Sequence, residues 1–442
     1  MKYRLLVIVF FVLVSACSKP GEETERKAEK GKGDIVIGVA LPLNDRRHFL
    51  EGVEMAIEDL NEKGGVLGRK IRAIVKDDES LEDVEVNYLI RKGKKIAWQF
   101  ANDPDVVAVI GHNISDVAVP VSIIYELDKT VFITPFATTP SLTKHGFRFV
   151  FRTLPTDTAY ARRLAVLAKQ KFKNVLIIAV DDIYGESLSN NFHTFAEDLG
   201  VNIVGSIHFP SWEDDMKGIL MRRANMIEGK KFDDIFDDIF DAIFLAAEMP
   251  KAARLVKMVR ELNITGPFFG GDALDTRELW ETAGEDAEGT IVCTTVINEG
   301  PTLQKFRERF KEKYGFPPEH WAAHTYDTVQ ILAYAMETSG STVPRKIAEA
   351  LHFIQDWQGV TATFTFDENG DVLNNMSGFK VLSKGEFTYN EELNKLVSEA
   401  EKEIAEKEKN GYEAIVEREK RKDVDTMDGD EVDSGSKDRK NK

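Results

Sequence analysis

Paired histidines, nucleotide-binding glycine loops, basic stripes and internal membrane-length apolar runs are all missing from this sequence. The eight histidines are scattered, and no HExxH spacing marks a metalloenzyme. No GxSxG elbow, GxxxxGK[ST] loop or GxGxxG turn is present, and no base is placed to activate a nucleophile, so neither an enzyme nor a resident metal or cofactor is expected. A formal net charge of -17 with no basic stripe excludes a nucleic-acid partner. Beyond Leu5 to Val14, no stretch approaches the roughly 20 apolar residues of a membrane helix. Cysteine is limited to Cys17 and Cys293. With Cys17 taken up by the N-terminal signal, Cys293 has no partner in the chain and reads as a buried strand residue.

What is present is a chain of 442 residues, 43% hydrophobic and 30% charged, able to bury full-size cores in two or three units. Met1 to Arg4 is a basic start, Leu5 to Val14 an apolar run, and Ser15-Ala16 a small-residue site, the form of a secretory signal. Val14-Ser15-Ala16-Cys17 is similar to the bacterial lipobox, which implies removal of 1–17 and lipidation of Cys17. An uncleaved anchor helix with an incidental cysteine is the other reading. Residues 18–33 are polar and rich in Gly, Lys and Glu, and read as a flexible spacer.

From 34 to about 385, apolar runs alternate with helical patterns. IVIGVAL (35–41), VVAVIG (106–111), TVFIT (130–134), NVLIIAV (174–180), DAIFLAA (241–247), PFFGG (267–271) and GTIVCTT (289–295) lack polar alternation, so they predict strands buried on both faces. FLEGVEMAIEDLNEKGG (49–65) has helical spacing with a glycine stop. The alternation predicts a doubly wound α/β fold, and its length predicts two sheets. The period-four repeat of Phe232, Phe236 and Phe240 reads as an inserted helix or loop over about 222–241. Residues 391–442 are dominated by charge and read as an appendage, partly helical and partly disordered.

Several of these segments together resemble the leucine/isoleucine/valine-binding family of type I periplasmic solute-binding proteins, which serve ABC importers. They are AIEDLNEKGGVLGRKIRAIVKDDES (56–80), VVAVIGHNIS (106–115), TPFATTPSLTKHGFRFVFRTLPTD (134–157), DDIYGES (181–187), FFGGDAL (268–274), DAEGTIVCTT (286–295), YDTVQILAYAM (326–336) and FTFDENGDV (364–372). The resemblance implies two lobes joined by three crossings, near 152–156, 294–297 and 354–360. The first lobe would combine 34–152 with 296–356, the second 153–295 with 357–390. A small polar ligand would be captured by hinge closure, extracytoplasmically, by a monomer that hands it to an importer permease.

Two loops follow strands of the first lobe, His112-Asn113-Ile114-Ser115 and Pro135-Phe136-Ala137-Thr138-Thr139-Pro140. Helix-end donors and hydroxyls at such positions suit a carboxylate. The resemblance assigns Ser115, Ala137 (through its backbone) and Thr138 to a ligand's carboxylate and amine. Ser115 as a plain N-cap and Thr138 as a turn residue are the alternatives. It also implies Asp272 as partner of a ligand ammonium and Tyr184 as a ring over the ligand, where an N-cap and a surface aromatic are the plainer readings. Two departures from the family stand out. The first loop is short and places Arg46 and Arg47 near the cleft mouth; an arginine fork suits carboxylate or phosphate, which admits a more acidic ligand, and two solvated arginines at a helix start are the other reading. Glu248-Met249 stands where the family often has aromatic residues, which makes Glu248 a further candidate and weakens the case for a branched aliphatic ligand. A ligand-sensing or scaffold lipoprotein working without an importer is the second functional reading, favoured by the tail and the 222–241 insertion.

Overall fold

A computed structural model of the chain describes residues 20–43, 47–79, 84–211, 215–224, 240–295, 300–373, 377–407 and 409. Cys17, Arg46 and most of the 222–241 insertion lie outside the described residues.

The first lobe is built on an all-parallel sheet of β1 (Ile35–Leu41), β2 (Ile71–Asp77), β3 (Val106–Gly111), β4 (Val131–Thr134) and β5 (Val150–Arg152), ordered β2-β1-β3-β4-β5. Side chains alternate across a strand, so a continuous apolar run feeds two cores at once. Ile35, Ile37, Val39 and Leu41 of β1 enter one core. Val36 and Ala40 of the same strand enter the core on the other face. The first core is closed by the helices Phe49–Glu62, Pro301–Tyr314 and His320–Ser339, the second by Val86–Ala101 and Ser115–Asp128. The helices Phe49–Glu62 and His320–Ser339 approach so closely that a Cβ on Gly52 would sit 2.1 Å from the Ala322 carbonyl oxygen.

The second lobe begins with β6 (Asn174–Asp181), β7 (Asn202–Pro210), β8 (Ala242–Ala246), β9 (Phe268–Gly270) and β10 (Ile291–Thr295), all parallel. After the short hairpin of β11 (Trp357–Gln358) and β12 (Thr363–Phe364), the antiparallel strands β13 (Ser377–Ser383) and β14 (Glu386–Tyr389) complete a sheet ordered β14-β13-β10-β9-β8-β6-β7. Its core gathers Leu176, Ile178, Ile243, Leu245 and Phe268. Cys293 is buried in β10 and forms no disulfide among the described residues.

The strands that the sequence marks are the ones buried on both faces. The edge strands β2 and β7 carry polar and half-exposed positions and so lack that signature. Two expectations are corrected. Residues 18–33 are not a featureless spacer: Pro20–Glu29 is a helix, with Glu22 and Glu23 in its first turn and Arg26 and Lys27 in its last, the polarity that complements a helix dipole. The Lys27 ammonium also pairs with Asp105 at 2.5 Å. The third crossing does not fall at 354–360. Residues 357–373 stay with the first lobe, because Phe364 and Phe366 are buried in its core and the Asp327 carboxylate accepts hydrogen bonds from the Val360 and Thr361 backbone. The chain joins the second sheet only with Ser377. Residues 391–407 are helical and form a separate unit.

Candidate functional site

Parallel strands point their carboxyl ends, and the loops after them, toward one edge of each sheet. In the first lobe the loop after β3 leads into the helix Ser115–Asp128. Its N-cap is Ile114, which offers no side-chain bond, so Ser115 is not the capping residue. The buried Ser115 hydroxyl takes no hydrogen bond among the described residues and is available at a helix N-terminus. A buried brace fixes this loop from behind. The Asp78 carboxylate lies 2.9 Å from His112 Nδ1 and accepts from the Asn113 backbone at 3.2 Å, while His112 Nε2 is 3.0 Å from the Tyr125 hydroxyl.

The loop after β4 has its own brace in Arg152, which is fully buried. Its guanidinium donates to the carbonyls of Ala137 at 3.1 Å and Thr139 at 2.7 Å, to the Thr143 hydroxyl at 3.0 Å, and to the Asp371 carboxylate. Those bonds hold the backbone on either side of Thr138. Ala137 also donates its N–H to Thr134 Oγ1 at 3.3 Å, so both of its backbone groups already have partners inside the lobe.

In the second lobe, Asp182, Glu248 and Asp272 follow β6, β8 and β9, which are neighbours in register: Ala179 pairs with Ala246, and Leu245 with Gly270. The buried Tyr184 hydroxyl donates to Asp272 Oδ1 at 3.3 Å. Gly271 has no Cβ because one would lie 2.6 Å from that hydroxyl. Glu248 is half-buried on the same edge.

Two contacts between the lobes lie beside these residues, and a third pairs Arg277 of the second lobe with Glu319 of the first at 2.9 Å. The Asp116 carboxylate accepts a hydrogen bond from the Ile183 backbone at 3.1 Å, crossing from one lobe to the first turn of a helix in the other. At the first crossing the Asp157 N–H donates to the Thr138 carbonyl at 2.8 Å. The Asp157 side chain is fully buried, and neither of its oxygens closes a hydrogen bond of normal geometry.

These acids sit in a field that penalises their charge. Burial raises Asp272 to about 8, and neighbouring Asp157 adds to the rise. Burial raises Asp157 to about 6, opposed by the hydroxyls of Ser187 and Thr138 and by Arg152. Asp182 is raised to about 7 by burial and by Asp116, while Glu248 lies well above the usual range through burial and through Asp182 and Asp116. Burial also raises Asp116. No group of three or more His, Cys, Asp or Glu among the described residues could hold a metal ion. The chemistry on offer is recognition: a group of buried carboxyls, with Asp157 lacking a hydrogen bond of normal geometry, and an unbonded hydroxyl at a helix end.

Ser115 and Thr138 therefore lie at the carboxyl edge of the first sheet, and Tyr184, Asp272 and Glu248 at that of the second. Asp157 and Asp116 are additional cleft acids that reading by strand ends missed. Each is an acidic residue in the first turn of a helix, a position that in sequence indicates only dipole compensation.

A family model described as Periplasmic binding protein matches residues 45–386. The chain belongs to the periplasmic binding protein family. That family comprises extracytoplasmic solute-binding proteins and not enzymes. Among solved structures, the chain is similar to an ABC transporter substrate-binding protein from Desulfitobacterium hafniense, with 33% identity, a TM-score of 0.68, and 81% of this chain and 100% of that one covered. A leucine-binding protein from Thermotoga maritima is 28% identical at a TM-score of 0.70, covering 80% of this chain and 97% of that one. A curated relative, the amino acid binding protein of Pseudomonas aeruginosa, is 28% identical over 356 residues, 77% of this chain and 87% of its own length. The two lobes described above are thus type I periplasmic-binding-protein lobes. No described helix is long and apolar enough to cross a membrane.

Proposed function

We propose that this protein captures a free α-amino acid between its lobes and delivers it to the permease of an ABC importer. One pairing supports the reading: two buried carboxyls, Asp157 and Asp272, belong to one lobe, and the unbonded Ser115 hydroxyl at the start of the helix Ser115–Asp128 belongs to the other. A zwitterion complements both. Its carboxylate would be held by the Ser115 hydroxyl, the helix N-terminus and Thr138. Its ammonium would be held by Asp157 and Asp272, with Tyr184 orienting the latter. Ala137 contributes through the second lone pair of its carbonyl. The D. hafniense protein has been solved in complex with Leu, in keeping with this class of ligand.

Closure would proceed about the three crossings, with 34–152 and 300–373 moving against 157–295 and 377–390. The protein acts as a monomer. Acyl chains on Cys17 would tether it to the membrane, since multiple chains give stable anchoring at about 0.8 kcal/mol per buried CH₂. The charged segment 391–442 favours a second reading, a sensing lipoprotein without an importer; coding sequences for a permease and ATPase beside its own would decide for import.

The test is a thermal-shift or native mass spectrometry screen over amino acids, small acids, amides and sugars. At a ligand concentration of about 100 Kd a true ligand stabilises by roughly 2.7 kcal/mol. Paired Ser115→Ala and Thr138→Ala substitutions should abolish the gain; a gain that survives them refutes the assignment.

A further inference from the structure

From the cleft we infer that the ligand is a basic amino acid, whose cationic side chain is received by Glu248. The proposal presupposes the amino-acid-binding role above and adds the class of side chain.

The zwitterion occupies Asp157 and Asp272 on one side and Ser115 and Thr138 on the other. It brings no net charge, so it leaves the remaining acids as they were. Asp116 and Asp182 each have a backbone donor from the first turn of the helix Ile183–Asp198: the Ile183 N–H for Asp116, and the Gly185 N–H at 2.7 Å for Asp182. Glu248 has none. It lies next along the same sheet edge, between the residues that follow β6 and β9, and its carboxyl accepts no hydrogen bond from any described residue. Among the groups that act on it are the carboxyls of Asp182, Asp116 and Asp272 and the guanidinium of Arg47. That arginine is engaged elsewhere: its guanidinium carbon lies 4.6 Å above the Phe49 ring, and no ion pair joins it to Glu248.

A carboxyl taken out of water needs a donor, and a cation serves best where several carboxyls crowd together. Asp157, fully buried and accepting no hydrogen bond of normal geometry, shows the same want of a donor among the acids of this lobe. The Tyr184 hydroxyl, bonded to Asp272, also feels Asp157 and, more weakly, Glu248. An aliphatic side chain against Glu248 would satisfy nothing; an ammonium or guanidinium would supply both charge and hydrogen bonds.

Isothermal titration of the whole chain with L-arginine, L-lysine, L-glutamine and L-leucine tests this, with Glu248→Gln and Glu248→Leu alongside. The expected result is that a basic amino acid binds at least tenfold tighter than leucine or glutamine. Glu248→Leu should remove that preference while leaving leucine within about threefold, and the isosteric Glu248→Gln keeps the comparison available should the leucine variant not fold. Tighter binding of leucine or glutamine by the native chain overturns the basic class and leaves amino-acid binding standing. A basic preference that persists in both variants overturns the role of Glu248. Failure of every α-amino acid to bind refutes the amino-acid reading itself, and this proposal with it.

Discussion

Asp116 and Ile183 belong to opposite lobes, yet the Asp116 carboxylate accepts the Ile183 backbone N–H at 3.1 Å. The bond satisfies one of the orphan donors of the helix Ile183–Asp198, and Asp182 satisfies another from within the lobe. The first turn of that helix is therefore fully capped only while the lobes are together. Capping bonds are worth about 1 kcal/mol. Asp116→Ala should weaken ligand binding roughly fivefold and shift the population toward open lobes. A calorimetric Kd and the radius of gyration from solution scattering would check both; an unchanged Kd would remove Asp116 from the closing mechanism.

The raised cleft acids make the ligand-free protein sensitive to alkali. Asp157, Asp182 and Asp272 hold protons to about 6, 7 and 8, whereas the unfolded chain would release them near pH 4. A folded-state pKa above the unfolded one contributes stability that is full at acid pH and is lost as pH rises through the folded value. The melting temperature without ligand should thus fall between about pH 5 and 8. Asp272→Asn should flatten the upper part of that fall and weaken amino-acid binding about tenfold or more. Because the ligand ammonium favours the ionised carboxyls, the ligand-induced rise in melting temperature should grow over the same range. Scanning fluorimetry across pH on both proteins reads all of these.

Gly271 is required by a side chain and not by its own backbone angle. A Cβ there would meet the Tyr184 hydroxyl at 2.6 Å and Leu188 Cδ2 at 2.8 Å. Gly271→Ala should push the phenol off Asp272 and reproduce the affinity loss of Tyr184→Phe, about tenfold or more for one hydrogen bond to a charged group. The two changes combined should cost little more than either alone. Additive losses in such a double-mutant cycle would show that the glycine acts elsewhere.

Arg152 is a heavily bonded buried charge near the site, with Asp371 its only acidic hydrogen-bond partner among the described residues. Removing one member of a buried charged pair costs about 3–5 kcal/mol. Arg152→Met should lower urea-unfolding stability by that amount. Asp371→Asn, which keeps an acceptor and is more exposed, should lower it by less. Equal losses would mean that the salt bridge, and not the carbonyl bonds to Ala137 and Thr139, carries the energy.

Much of this protein was readable in its residue order. The runs that became β1, β3, β4, β6 and β8 are apolar on both faces, and that property is local, so their burial between helices could be inferred before any contact was known. The absence of catalytic and nucleotide motifs, and the loops that place Ser115, Thr138 and Asp272 at strand ends, were local too. Edge strands were less visible, since half of each faces solvent and its composition differs little from that of a loop.

Other features depend on partners far along the chain, and only the folded structure decided them. The third crossing lies beyond residue 373 because Asp327 and the first-lobe core retain the hairpin of β11 and β12. Asp116 and Asp157 look in sequence like ordinary helix-start acids; in the folded chain both are buried, and the loss of water raises them. Desolvation and charge crowding arise from packing, and no window of sequence contains the residues that cause them. Periodicity fixes which side of a strand is dry, but which carboxyls face one another follows only from how two sheets are brought together.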